Sequence, residues 1–174
     1  MTKKNNKSLR PILFLILITF IAGFFYFQNQ KRPDVPTDLV YKTIDGRSLT
    51  LEQLRGKTVL IDFWSTTCKS CVEEIPDLVA LHKEFSAKGF EIIGVAMPYD
   101  RPDMVLKYAE DLKVSYPIAL DIDGEITQAY GNVSVTPTHF LIAPDGKVLN
   151  KIVGKINIVK FRDKIKTMLH KNLI

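Results

Sequence analysis

Apolar and polar positions alternate along the chain in blocks that predict an ordered succession of elements. "TVLIDFW" (58–64) is a β-rich apolar run that ends at Ser-Thr-Thr and reads as a buried strand. In "SCVEEIPDLVALHKEFSAKGF", Val72, Ile75, Leu78, Val79, Leu81 and Phe85 recur at helical spacing, and Gly89 marks the end. "FEIIGVAM" (90–97) is a second apolar strand, and "RPDMVLKYAEDLKV" (101–114) a helix with Pro102 in its first turn. "YPIALD" (116–121) reads as a brief strand and "GEITQAYG" (124–131) as a short helix. "THFLIAPDGKVLNKIVG" (138–154) is strand, Pro-Asp-Gly turn, strand. "IVKFRDKIKTML" (158–169) closes the chain as an amphipathic helix. Upstream, "DGRSLTLEQLRGK" (45–57) suggests a short strand and a helical turn capping the domain. The order β-α-β-α-β-α-β-β-α implies an α/β fold: a mostly parallel, mixed sheet with an antiparallel hairpin and helices on both faces.

One block fits no such domain. Pro11 to Phe27 is 17 residues without a charge, with Thr19 its one polar side chain. At ~1.5 Å per residue it is about 25 Å long, near the ~30 Å of a hydrocarbon core that flanking Lys and Arg can complete by snorkelling. Four basic side chains precede it and two follow, which places the N-terminus in the cytoplasm. "GFFYFQNQ" puts aromatics where a signal peptidase needs small residues, so the segment is expected to stay as an anchor. The expected organisation is a basic tail (1–10), a transmembrane anchor (11–27), a linker (28–36) and an exported domain (37–174).

Charge follows the same division. The chain carries a formal +5, but all six basic residues before Pro33 stand without an acid. From Pro33 onward 18 Lys and Arg face 19 Asp and Glu. The exported part is therefore near neutral, and nucleic-acid binding loses its electrostatic support. Hydrophobic residues at 46% supply a core for one domain.

Cys68 and Cys71 are the only cysteines, and outside the cytoplasm such a pair can be oxidised. Cys68 falls between a strand and the N-terminus of a helix, where unpaired N–H groups and the helix dipole stabilise thiolate. Lys69 adds a positive charge nearby. Cys71 lies one turn further in and is expected to be more buried. That division suits disulfide exchange, with Cys68 as exposed nucleophile and Cys71 as resolving thiol. A zinc site would need two more ligands, and His82, His139 and His170 have no paired spacing; each reads as an ordinary satisfied or exposed histidine. An inert disulfide would close a loop too short to gain much.

"VLIDFWSTTCKSCVEEIP", followed by "VSVTPTHFLIAPDGKV", resembles the thioredoxin superfamily, and within it the membrane-anchored TlpA/ResA-like thiol–disulfide oxidoreductases, which include cytochrome c maturation reductases. The resemblance runs from about Thr37 to Leu169. It implies a thioredoxin-like fold and a cis-proline at Pro137 that, with Thr136, faces the disulfide and a client peptide. It also implies that Asp62, inside its strand, moves protons to and from the inner cysteine, its pKa raised by burial. Glu74, three residues after Cys71, is expected to tune the thiols; Glu73 is expected only to complement the helix dipole. Trp64 should pack beneath the site. Pro76 should kink the helix and free a carbonyl near Val72. The chain departs from the family pattern at Thr67 and Ser70, so Lys69-Ser70, the dipeptide between the cysteines, leaves the potential open.

The resemblance further implies protein disulfides as clients, an integral membrane thiol carrier as electron donor, and no cofactor beyond the disulfide. Apo-cytochrome c and the copper-site cysteines of an oxidase are candidate clients. Two other classes compete: a Cu(I)-transfer module, weakened because Met97 and Met104 read as core, and a thiol peroxidase, weakened by Ser65 where a threonine is expected.

Overall fold

The computed structural model describes residues 17–21 and 35–171. The chain divides into two compact units, Met1–Arg32 and Pro33–Ile174. In the first, residues 17–21 are helical and exposed; the rest of the expected anchor lies outside the described residues. Among the described residues no helix is long and apolar enough to cross a membrane.

The second unit opens with a two-stranded antiparallel ribbon, β1 (Tyr41–Lys42) and β2 (Ser48–Leu49). A five-stranded sheet follows, formed by β3 (Thr58–Trp64), β4 (Phe90–Ala96), β5 (Ile118–Leu120), β6 (Thr138–Ile142) and β7 (Val148–Val153). Its order is β5-β4-β3-β6-β7: β3, β4 and β5 run parallel, while β6 pairs antiparallel with β3 and β7 antiparallel with β6. The helices are α1 (Lys69–Phe85), α2 (Pro102–Asp111), α3 (Glu125–Ala129) and α4 (Ile158–Lys171). The expected element order and mixed sheet are found. Where a helical turn is expected after β2, residues 51–56 form successive turns, with Leu54 N–H bonded to the Leu51 carbonyl and Arg55 N–H to that of Glu52, too short to count as a helix.

All seven residues of β3 are buried, as befits a central strand covered on both faces. Leu60 and Trp64 pack with Ile75, Leu78 and Leu81 of α1 and Phe161 and Ile165 of α4. Val59, Ile61 and Phe63 pack on the opposite face with Ile126 of α3, Tyr41 and Tyr130. Asp62 shares the α1–α4 face with Leu60 and Trp64 by strand alternation. It is an ionisable residue in a largely apolar layer. Each fully buried aliphatic or aromatic side chain of this sandwich contributes roughly 1.5–3 kcal/mol, so an uncompensated carboxylate in its midst would need partners.

α1 is one continuous helix through Pro76, whose ring is exposed and which bears no N–H for the turn behind it. It ends in a 3-10 turn (Ser86–Lys88) and Gly89, whose φ of 91° only glycine adopts readily. Gly94 on β4 fits tightly for a different reason. A Cβ there would stand 3.3 Å from Trp64 Nε1 and 3.3 Å from the Tyr116 ring, so its absence lets both aromatics close over Asp62's strand neighbour.

Candidate active site

β3 delivers the chain into the Ser65-Thr66-Thr67 loop, and Cys68 caps α1. Its Sγ accepts from the Cys71 backbone N–H at 3.3 Å. Cys68 and Cys71 are joined in a disulfide. The two sulfurs differ in access: Cys68 is half-buried, whereas Cys71 is 2% exposed and packs in the core with Trp64. Reduction at this position leaves the outer sulfur at the N-terminus of a 17-residue helix, where free N–H groups favour thiolate.

Of the two residues between the cysteines, Ser70 touches the chemistry. Its Oγ lies 3.5 Å from Cys68 Sγ. Lys69 points away; its side chain is 92% exposed and its ammonium pairs loosely with Glu73 at 3.9 Å. Glu73 also meets Lys155 at 3.6 Å.

The loop ahead of Cys68 is clasped by Asp100, between β4 and α2. Its carboxylate accepts from the Thr66 N–H (3.1 Å), Thr66 Oγ1 (2.8 Å) and Ser65 Oγ (3.1 Å). Ser65 Oγ in turn accepts from the Thr67 N–H at 3.2 Å. Thr66, Thr67, Lys69, Val72, Glu73 and Tyr108 line an open cavity of about 320 Å³ beside Cys68. Asp100→Ala removes the acceptor of three hydrogen bonds at once, so a loss of about 1–3 kcal/mol is expected in a urea melt. Faster exchange of the Thr66 amide should report the loosened loop.

One helical turn on from Cys71, α1 contributes to a buried trio. Asp62 (β3) and His139 (β6) are direct cross-strand partners, and Glu74 reaches them from α1, one turn beyond Cys71. Asp62 Oδ1 stands 3.1 Å from His139 Nδ1, and Glu74 Oε2 stands 3.3 Å from Nε2, with side chains at most 3% exposed. These are ion-pair distances; neither has the alignment of a well-formed hydrogen bond. The other Glu74 oxygen accepts from the Ile156 N–H at 2.5 Å. Burial pushes the His139 imidazole pKa down, but Asp62 and Glu74 outweigh it and lift the ring from 6.5 to about 9. Tyr116 is held well above 10, by burial first and then by the negative charges of Asp62 and Glu74. The two carboxylates meet opposite ring nitrogens, so the trio does not converge on one point. Among the described residues no group of three metal-ligating side chains does.

The Thr136–Pro137 peptide is cis. Pro137 is buried, Thr136 half-buried and Val135 56% exposed. Thr138 pairs with Phe63, so this segment stands beside the end of β3 from which the cysteine loop departs. The Pro137 carbonyl accepts from the Gly154 N–H at 2.8 Å. The structure thus groups Cys68, Cys71 and Ser70 at the helix tip, Asp62 and Glu74 below, and Trp64 against Cys71. Thr136 and Pro137 lie alongside, and Lys69 stands apart. Sequence reasoning passed over His139 and Asp100. The three consecutive hydroxyl residues 65–67 were the one signal that an acceptor would be needed there.

This fold and an asymmetric Cys-x-x-Cys disulfide at a helix tip define a thioredoxin-like thiol–disulfide oxidoreductase. The chain belongs to the AhpC/TSA family, whose model matches residues 30–151, and it is similar over most of its length to proteins named thiol-disulfide oxidoreductase ResA. The protein of that name from Bacillus anthracis is 35% identical over 161 residues, spanning 88% of this chain and 91% of the relative. That from Bacillus subtilis (strain 168) is 31% identical over 160 residues, with 88% of each chain covered. Among solved structures, a thiol:disulfide interchange protein of the thioredoxin family from Chlorobium tepidum TLS superposes with a TM-score of 0.71 at 28% identity, covering 80% of this chain and 99% of its own.

Proposed function

We propose that this oxidoreductase works as a membrane-tethered reductase of protein disulfides outside the cytoplasmic membrane. The observation that carries the reading is the unequal access of the two sulfurs: a half-buried Cys68 at the helix tip over a buried Cys71. In the dithiol form, Cys68 thiolate attacks a client disulfide, forms a mixed disulfide and releases one client thiolate. Cys71 then gives up its proton, attacks Cys68 Sγ, restores the Cys68–Cys71 bond and releases the second client thiolate. The client disulfide gains two electrons and the dithiol loses two.

Asp62 and Glu74, buried carboxyl groups of β3 and α1, take the proton leaving Cys71. Thr136 and Pro137 offer an extended client segment a wall beside Cys68, backed by Trp64. Ser70 sets the potential through its contact with Cys68, and Lys69 through its charge at the helix tip. Electrons return from an integral membrane thiol carrier, with the pair itself as the redox group. The anchor is the apolar segment 11–27, flanked by four and two basic side chains, with the C-terminal domain on the periplasmic side. Clients with closely spaced cysteines, such as apo-cytochrome c or the copper-site cysteines of an oxidase, suit the cavity beside Cys68.

The full chain, reduced and freed of reductant, is expected to open the disulfide of a Cys-x-x-Cys-His peptide one for one with its own oxidation. Peptide disulfide left intact after the chain's thiols have been shown to be free would overturn the reductase reading.

A further inference from the structure

We infer that His139 is a positioning residue of the disulfide chemistry, one that joins Asp62 and Glu74 into a single buried proton-holding unit beneath Cys71. The inference rests on Cys71 being the resolving thiol.

Both ring nitrogens face a carboxylate oxygen, at 3.1 and 3.3 Å, with no solvent access. A neutral imidazole donates from one nitrogen and presents a lone pair at the other, which would meet a carboxylate lone pair. With a carboxylate oxygen at each nitrogen, the arrangement calls for two protons on the ring. Among the described residues no second cation is paired with Asp62 or Glu74. Tyr116, ahead of β5, is a neutral phenol in the field of both acids. On β7 the cross-strand neighbour of His139 is Ile152, and α2 and α4 present Val105, Phe161 and Ile165 to this layer. The Ile156 N–H is a fixed donor to Glu74. His139 is thus the cation held between the two carboxyl groups, Asp62 on one ring nitrogen and Glu74 on the other, either of which can take the proton of Cys71. When Cys71–SH gives that proton to a carboxylate and attacks Cys68 Sγ, the His139 charge offsets the negative charge appearing on sulfur.

Removing that cation makes the Cys71 thiolate harder to form. The test uses the full chain with Cys68→Ala, leaving Cys71 as the one thiol, with and without His139→Gln. The pH profile of iodoacetamide modification is expected to move up by about one unit, a roughly tenfold slower reaction at pH 7. Because a buried substitution can also disturb folding, the ring of the unmutated protein is followed in parallel by ¹⁵N NMR. It should remain doubly protonated at pH 8. Coincident alkylation profiles, or a His139 ring neutral at pH 7, would overturn the inference. A chain that reduces no client peptide but still shows the displaced profile overturns the proposed function and leaves His139's place intact.

Discussion

The Cys71→Ala chain should accumulate covalent, DTT-sensitive complexes with its clients on Cys68, with multiple turnover reduced to background. The expectation follows from access. The half-buried outer sulfur can meet a protein disulfide, whereas the inner one is 2% exposed and cannot. Without Cys71 nothing inside the protein can break the mixed disulfide. Cys68→Ser should lose both the complexes and the turnover, since a hydroxyl at the helix tip stays protonated where a thiol ionises. Complexes that form equally on both variants, or on neither, would mean that the attack does not begin at Cys68. Non-reducing electrophoresis with mass spectrometry of the shifted bands reads the result.

The second large effect concerns stability. Glu74→Ala leaves the His139 cation with one partner and the Ile156 N–H with none. Breaking a buried charge pair in this way costs about 3–5 kcal/mol, readable in urea denaturation at pH 6. Glu74→Gln should cost less, because the amide oxygen can still accept from Ile156. The same cluster makes the protein's own stability depend on pH. His139 binds its proton more tightly folded, at about 9, than the ordinary 6.5. Its contribution is therefore fully present below pH 6.5 and is lost as the pH rises through about 9. The urea midpoint should fall across that window, and fall less in Glu74→Ala, where the ring has lost one of the two charges that raise it. A midpoint flat from pH 6 to 9.5 would contradict the charged cluster.

The central architecture could be read from apolar runs alone. β3 and β4 are seven-residue buried strands with few competing signals, and α1 and α4 keep helical spacing throughout. The cysteine pair announced itself by being the only one. At 51–56 the Leu51–Leu54 spacing was legible as a single turn: the Leu54 N–H bonds the Leu51 carbonyl and both side chains are buried, without a longer helix.

His139 was opaque for a physical reason. A lone histidine in a strand is ordinary, and its meaning appears only when the β3–β6 register sets it opposite Asp62 and α1 lays Glu74 on its other edge. Three residues 12 to 77 positions apart meet there, and no local pattern encodes the meeting. Asp100 is similar: a loop aspartate by pattern, it becomes the acceptor for Ser65 and Thr66 only through the packing of the β4–α2 connection against the β3 end. Glu73 and Glu74 are neighbours in sequence with opposite fates. One is exposed against Lys69 and Lys155, and the other is buried against His139. The helix phase set by Cys71 and Ile75 decides between them.

The most direct measurement is the equilibrium reduction potential of the Cys68–Cys71 couple, taken in a DTT series at pH 7 with the full chain. A reductase of protein disulfides requires a strongly reducing value, near the roughly −270 mV of thioredoxin. A value near about −120 mV, that of a strong disulfide oxidant, would reverse the direction of electron flow and contradict the account.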